Sequence, residues 1–172
     1  MEGKKLSKDV AYNEYANQVT DILSKGAFLT TAVDGAINTM TIAWGSIGFM
    51  WGKPVFMAMV RHSRFTYKCL EKSGEFTVSI PFKDMSKALG ICGSKSGRDI
   101  DKLSAANLIT VPGKKISTPV IADCGLHYEC KVVYKQQMSA ERLTTDLQQK
   151  WYADEDYHTL YWGEILATYV DD

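Results

Sequence analysis

The chain has 172 residues, 45% of them hydrophobic and 23% charged, with 20 Lys and Arg balanced by 20 Asp and Glu. That length fits one domain, taken here as residues 1–172, and at this size roughly two-thirds of the unfolded chain's surface is buried on folding, enough for a core without staples. The even charge argues against a broad nucleic-acid or anionic-membrane surface, which needs clustered excess Lys and Arg, but leaves room for a small anion held by two or three local cations.

The opening MEGKKLSKDV carries lysines with no apolar stretch after them, which reads as no signal peptide. Residues 12–25 predict a short helix, because Tyr12, Tyr15, Ala16, Val19, Ile22 and Leu23 recur at helical spacing and Gly26 follows. Residues 27–33 and 37–44 predict a hairpin turning at Asp34-Gly35, broken afterwards by Gly45 and Gly48. The apolar run 42–51 is much shorter than a membrane span. A buried strand is expected over 55–60, bounded by Pro54, then a helix over about 64–73 capped by Ser63 and stopped by Gly74. Residues 75–80 alternate as a strand that Pro81 closes. Two short helices are expected over 84–106 around a polar loop at 94–99, with irregular or edge structure over 109–121. A long strand falls in 125–138, a helical turn in 143–152, and a final strand runs from His158 to Val170. Several strands with short helices between them point to a closed or partly closed barrel, mainly β. No G-x-G-x-x-G follows a strand, which argues against a Rossmann domain.

Cys69, Cys92, Cys124 and Cys130 form no C-x-x-C pair, and His62, His127 and His158 lie too far apart for a zinc motif. The reading is four reduced thiols, no metal and a cytoplasmic protein. His127, inside a strand, reads as structural.

Three stretches carry candidate chemistry. Arg61, Ser63, Arg64 and Thr66 stand where a strand gives way to a helix, so free N–H groups, the helix dipole, two guanidiniums and two hydroxyls can cradle a phosphate. Taken alone, the same residues also suit a capped helix with two exposed arginines. The loop 94–102 offers small residues with Lys95, Arg98 and Lys102, or equally an ordinary surface loop with Asp99 as a helix cap. Asn38 to Trp44 alternates polar and apolar side chains, as the edge of a flat aromatic ligand would require, or as any half-buried strand does.

Taken together these stretches are more specific. N-x-M-T-x-x-W at 38–44, G-x-x-W-x-K-P at 48–54 and V-R-x-S-R-x-T-Y at 60–67 are followed by G-E-F-x-V-x-x-P at 74–81, S-G-R-D-x-D-K at 96–102 and H-x-x-Y-x-G-E at 158–164. In that order they resemble the flavin reductase and flavoredoxin family, over roughly residues 10–170. The resemblance implies an FMN-binding split β-barrel. It implies that Asn38, Met40, Thr41 and Trp44 lie along the isoalloxazine, and that Arg61, Ser63, Arg64 and Thr66 serve the phosphate end together with Ser96, Gly97 and Lys102. His62 departs from the proline many relatives carry.

The leading expectation is an NAD(P)H-dependent flavin reductase passing hydride to FMN, with His158 near the nicotinamide. The alternative is a flavoredoxin-like electron carrier reduced by a protein partner. One compact phosphate cradle with no second motif for adenine favours FMN over FAD. The resemblance also implies a homodimer, and the aromatic crowding of Trp151, Tyr152, Tyr157, Tyr161, Trp162 and Tyr169 supports one.

Overall fold

Alternating apolar residues form ten antiparallel strands with short helices between them, and the computed structural model describes residues 7–171. In chain order these are β1 (Ser7–Asp9), α1 (Ala16–Leu23), β2 (Ala27–Val33), β3 (Ala36–Ile42), β4 (Gly45–Met50) and β5 (Lys53–Arg61). There follow α2 (Phe65–Ser73), β6 (Glu75–Pro81), α3 (Ser86–Ser94), α4 (Lys102–Ala105), β7 (Thr110–Val111) and β8 (Val120–Ile121). The last are β9 (Gly125–Gln137), a 3-10 turn at Ala140–Arg142, α5 (Thr145–Trp151) and β10 (His158–Asp171). Residues 1–6, which include most of the lysine-bearing start, lie outside the described residues.

One antiparallel sheet runs β3-β2-β6-β9-β10-β5-β4, with β1 on the far end of β10. It is the split β-barrel expected from the sequence. The long strands β9 and β10 form its spine, and register shifts at Trp162/Gly163 and Ile165/Ala167 mark bulges that bend it. Phe56, Phe76, Val78, Tyr128, Cys130 and Tyr161 fill the interior. A second cluster of Phe28, Leu89, Cys92 and Ile121 packs α3 against the outside of β2.

Three local expectations need correction. The first concerns Gly45 and Gly48, which do not break the sheet. They lie in β4, which pairs with β5 through a turn at Trp51 and Gly52 with φ of 54° and 72°, the conformation a two-residue hairpin favours. Pro54 is tolerated inside β5 because the β10 ladder stops at Val55. The second is the first helix, which begins only at Ala16. The Tyr128 hydroxyl donates to the Tyr12 carbonyl at 3.1 Å, and Tyr12 and Tyr15 pack on the core from a turn. The third is Ser63, which does not cap α2; Arg64 holds the N-cap position and no side chain caps it.

The irregular stretch before β8 is anchored from within. The buried Glu129 carboxylate accepts the N–H groups of Lys114, Lys115 and Ile116 at 2.6, 2.7 and 3.1 Å and the Tyr169 hydroxyl at 2.7 Å. Four donors offset the cost of burying that charge. Among the described residues no helix is long and apolar enough to cross a membrane.

Candidate functional site

β3 and β4 end the strand path and do not pair with each other, and the chain crosses between them through Ala43 and Trp44. Two cavities open along this split. One, of about 200 Å³, is lined by Met40 to Trp44, Met59, Arg61, Arg64, Trp151 and His158. The other, of about 110 Å³, is lined by Ser63 to Thr66, Cys92 to Ser96, Arg98 and Lys102. They share Met40 and Arg64.

The first cavity is bordered by three rings, Trp44, Trp151 and His158. The Trp151 ring meets Trp44 edge-on at 4.9 Å between centroids, and His158 lies 5.4 Å from Trp44. His158 Nδ1 is 2.7 Å from the Tyr152 hydroxyl, whose other neighbour is the Met138 sulfur at 3.4 Å. An imidazole nitrogen accepts far better than a thioether, so the phenol donates to Nδ1 and the ring proton sits on Nε2. Nε2 has no partner among the described residues. Burial first, then the Arg61 charge, pushes the imidazole down to about 4, so it is neutral at pH 7. A neutral hydrogen-bond donor therefore borders this cleft.

The second cavity is cationic. Arg64, Lys95, Arg98 and Lys102 line it with the hydroxyls of Ser63, Thr66, Ser94 and Ser96, and no carboxylate is among its lining residues. Lys102 is 7% exposed, and its Nζ donates to the Thr39 and Cys92 carbonyls at 3.0 and 2.9 Å, two of its three bonds. Burial pushes this ammonium below its ordinary range; Cys92 acts against that shift and the Arg64 charge adds to it. The first residues of α2, Phe65 and Thr66, line the same pocket at a helix end without a side-chain cap among the described residues. An anion is the partner this arrangement lacks.

Of the residues named from the sequence, Met40, Thr41, Trp44 and His158 meet in the aromatic cleft, and Ser63, Arg64, Thr66, Ser96 and Lys102 meet in the cationic pocket. The Thr41 hydroxyl donates to the Leu89 carbonyl at 2.7 Å, which ties β3 to α3. Asn38 is not in the cleft; it donates to the Thr66 hydroxyl at 2.8 Å and borders a third cavity. Gly97 borders that third cavity too, in close contact with the Asn38 carboxamide, which leaves no room there for a Cβ. Arg61 and Ser63 are held by the segment after α5. Arg61 donates to the Trp151 and Asp156 carbonyls at 2.8 and 2.9 Å, and Ser63 donates from Oγ and N to the Asp156 carboxylate at 2.6 and 3.1 Å.

Asp156, Trp151 and Tyr152 are the functional neighbours that sequence reasoning did not place. Asp156 joins Ser63 across 93 positions, and no motif signals it. Trp151 stood out only as part of an aromatic-rich stretch. Arg98 was noted as loop charge, and the structure aims it at the Ser63 carbonyl at 3.1 Å, within 5.7 Å of the Phe65 ring.

Arg61→Ala is expected to loosen this segment. Two charge-assisted bonds are lost, each worth about 1.5–3 kcal/mol, so amide exchange over residues 151–157 rises sharply while the barrel core stays protected. The His158 pKa moves up from about 4, because a depressing charge is gone. Unchanged exchange in the variant would show that Arg61 does not hold the segment.

The sequence profile of the flavin reductase like domain matches residues 21–172. An uncharacterized protein of Archaeoglobus fulgidus is 30% identical over 129 residues, 75% of this chain; the match spans only 63% of that relative's length. Among solved structures, a flavoredoxin of Methanosarcina acetivorans superposes with a TM-score of 0.68 at 25% identity, covering 86% of this chain and 68% of the other. An FMN-binding domain of a flavin reductases-like enzyme from Shewanella baltica gives 0.70 at 18% identity, with coverage of 97% and 78%, a likeness of fold alone.

Proposed function

The chain belongs to the flavin reductase-like family, and from that premise we propose that it is an FMN-dependent oxidoreductase that passes hydride from NAD(P)H to the flavin. The observation that carries the reading is the pair of joined cavities: a cleft bordered by aromatic rings meeting, at Met40 and Arg64, a pocket lined by four cations and no carboxylate among the described residues. FMN has those two ends. Bound there, it supplies the hydride-accepting chemistry.

The chain's own residues do the rest. Arg64 and Lys102 hold the phosphate, with the hydroxyls of Thr66 and Ser96 as further donors, while Ser63 spends its own hydroxyl proton on Asp156. Trp44, Met40 and Thr41 flank the ring, and His158 offers its Nε2 proton to the reacting face. The 151–156 segment, clamped by Arg61, walls the cleft from water with the Trp151 ring. Anaerobic mixing of the FMN-loaded protein with NADH or NADPH tests the reading. Rapid loss of flavin absorbance supports it. No bleaching with either nucleotide, with FMN bound, would leave an electron carrier reduced by a protein partner.

We also propose that the protein works as a homodimer in a reducing compartment such as the cytoplasm. All four cysteines are buried free thiols. Trp51, Tyr134 and the half-buried Trp162 form an aromatic stripe, with centroids 5.7 and 5.3 Å apart, and Trp51 is 60% exposed. Trp162 pairs with Met57 on β5, two residues before the cleft residue Met59, so a second copy seated there would reach the site. Light scattering should give twice the chain mass, and Trp162→Glu should give monomers. A monomeric wild type at micromolar concentration with FMN present would remove the dimer.

A further inference from the structure

The third cavity, of about 570 Å³, is the largest described and lies outside the proposed flavin cleft. Its walls are apolar: Val33, Ala36 and Ile37 from the β2–β3 hairpin, Phe65 and Cys69 from α2, and Ile100 and Leu103 from the following loop and α4. Ile37 and Ile100 are each 37% exposed, so this apolar surface is left open among the described residues. Its charge is one-sided. Lys68, Lys72, Arg98 and Lys102 border it against two carboxylates, Asp99 and Asp101. Asp101 is engaged as the α4 N-cap, accepting the Leu103 and Ser104 N–H groups at 3.0 and 3.2 Å. Lys68 and Lys72 sit one turn apart on the same face of α2, with no ion pair among the described residues. Like charges at that spacing repel, and an anion between them would relieve the repulsion.

We propose that this cavity is a second ligand site, for a small apolar carboxylate of the aryl-carboxylate type. Its volume lies within the range of roughly 300–1,000 Å³ typical of small-molecule sites, which pair apolar walls with a few convergent polar groups. The hairpin and α2 grip the ring system, and Lys68 and Lys72 take the carboxylate at the mouth. Phe65, Arg98 and Lys102 form the partition shared with the cationic pocket. The proposal stands apart from the flavin reading, because none of Ala36, Lys68 or Lys72 lines either flavin cavity.

Calorimetric titration of 2-naphthoate into the full chain tests it. Wild type should bind one equivalent saturably. Ala36→Trp, which fills the cavity from an exposed hairpin position, and the surface pair Lys68→Glu with Lys72→Glu should each weaken binding by about tenfold or more. Arg64→Ala, in the flavin cavities, should leave it unchanged. The neutral analogue 2-naphthalenemethanol should bind much more weakly. The site is overturned if wild type shows no saturable binding, if Ala36→Trp binds as wild type does, or if Arg64→Ala alone abolishes binding, which would place the carboxylate in the flavin cleft. Adenosine monophosphate displacing naphthoate at equal concentration would instead make this a nucleotide site and remove the carboxylate assignment. Flavin absorbance in the same variants reports FMN binding separately, so failure of one reading does not mask failure of the other.

Discussion

Lys102→Met is expected to weaken FMN binding by about 100- to 1,000-fold, because it removes the buried cation proposed to meet the phosphate, a loss of roughly 3–4 kcal/mol. The substitution stays close to lysine in volume and is one heavy atom shorter. The Thr39 and Cys92 carbonyls each lose a donor, at about 1 kcal/mol apiece, but a buried charge without a carboxylate beside it is removed at the same time. The apoprotein should therefore melt close to wild type, which separates recognition from folding. Riboflavin, which lacks the phosphate, should bind both proteins alike. The pH dependence follows in sign. The Lys102 pKa in the fold lies below its ordinary 10.5, so the folded apoprotein sheds this proton first. The burden of the buried charge is full below the folded pKa and fades as pH rises toward 10.5. On the proposed reading FMN binding uses the charged form, so affinity should fall as pH rises through the depressed Lys102 pKa of the folded apoprotein in wild type and not in Lys102→Met. Equal FMN affinity in the two proteins would take Lys102 out of phosphate recognition.

The sequence carried the strand-rich order of the fold because each strand signal is local. The Asp34-Gly35 turn fixes the register of β2 on β3, and the alternation of Phe76, Val78 and Ile80 matches the face of β6 that joins the main core, while Thr77 and Ser79 are buried on its other face. β4 was missed because its signal is not local: two glycines weaken its pattern, and only pairing with β5 makes it a strand. The cationic pocket was legible as cations and hydroxyls near a helix start. What was not legible is which of them remain free. Asp156 takes the Ser63 hydroxyl and N–H, and two carbonyls of the same segment take Arg61. Those partners lie 93 to 95 and 90 positions away, beyond the reach of any spacing rule. Burial is equally non-local. Lys102 and His158 look like ordinary surface residues in a string of letters, and their displaced pKa values arise only once the barrel closes around them.

His158→Ala is the second large effect expected. It should slow flavin reduction by NAD(P)H by about 10- to 100-fold while leaving FMN affinity nearly unchanged, the pattern of a group that acts on the reacting face. Since the imidazole stays neutral until about pH 4, the wild-type rate should show no titration of His158 across the neutral range. The role is that of a neutral Nε2 donor, not a proton source. His158→Gln, whose amide can place an N–H near the same point, should recover much of the rate; a role in charge or packing alone would predict no recovery. Tyr152→Phe removes the donor that fixes the tautomer, so it should slow reduction less than His158→Ala and again spare FMN binding. Stability gives an independent check. The folded-state pKa lies below the ordinary 6.5, so the unfolded chain protonates first as pH falls. The contribution of His158 is then fully present above pH 6.5 and is lost as pH drops toward 4, and His158→Gln should flatten that part of the stability curve. Stopped-flow reduction under anaerobic conditions reads the kinetic arm. Equal rates in wild type and His158→Ala would keep the reductase and dismiss the histidine. A wild-type protein that holds FMN yet is not bleached by either nucleotide would dismiss the reductase itself, leaving the same two cavities to serve a carrier that takes its electrons from another protein.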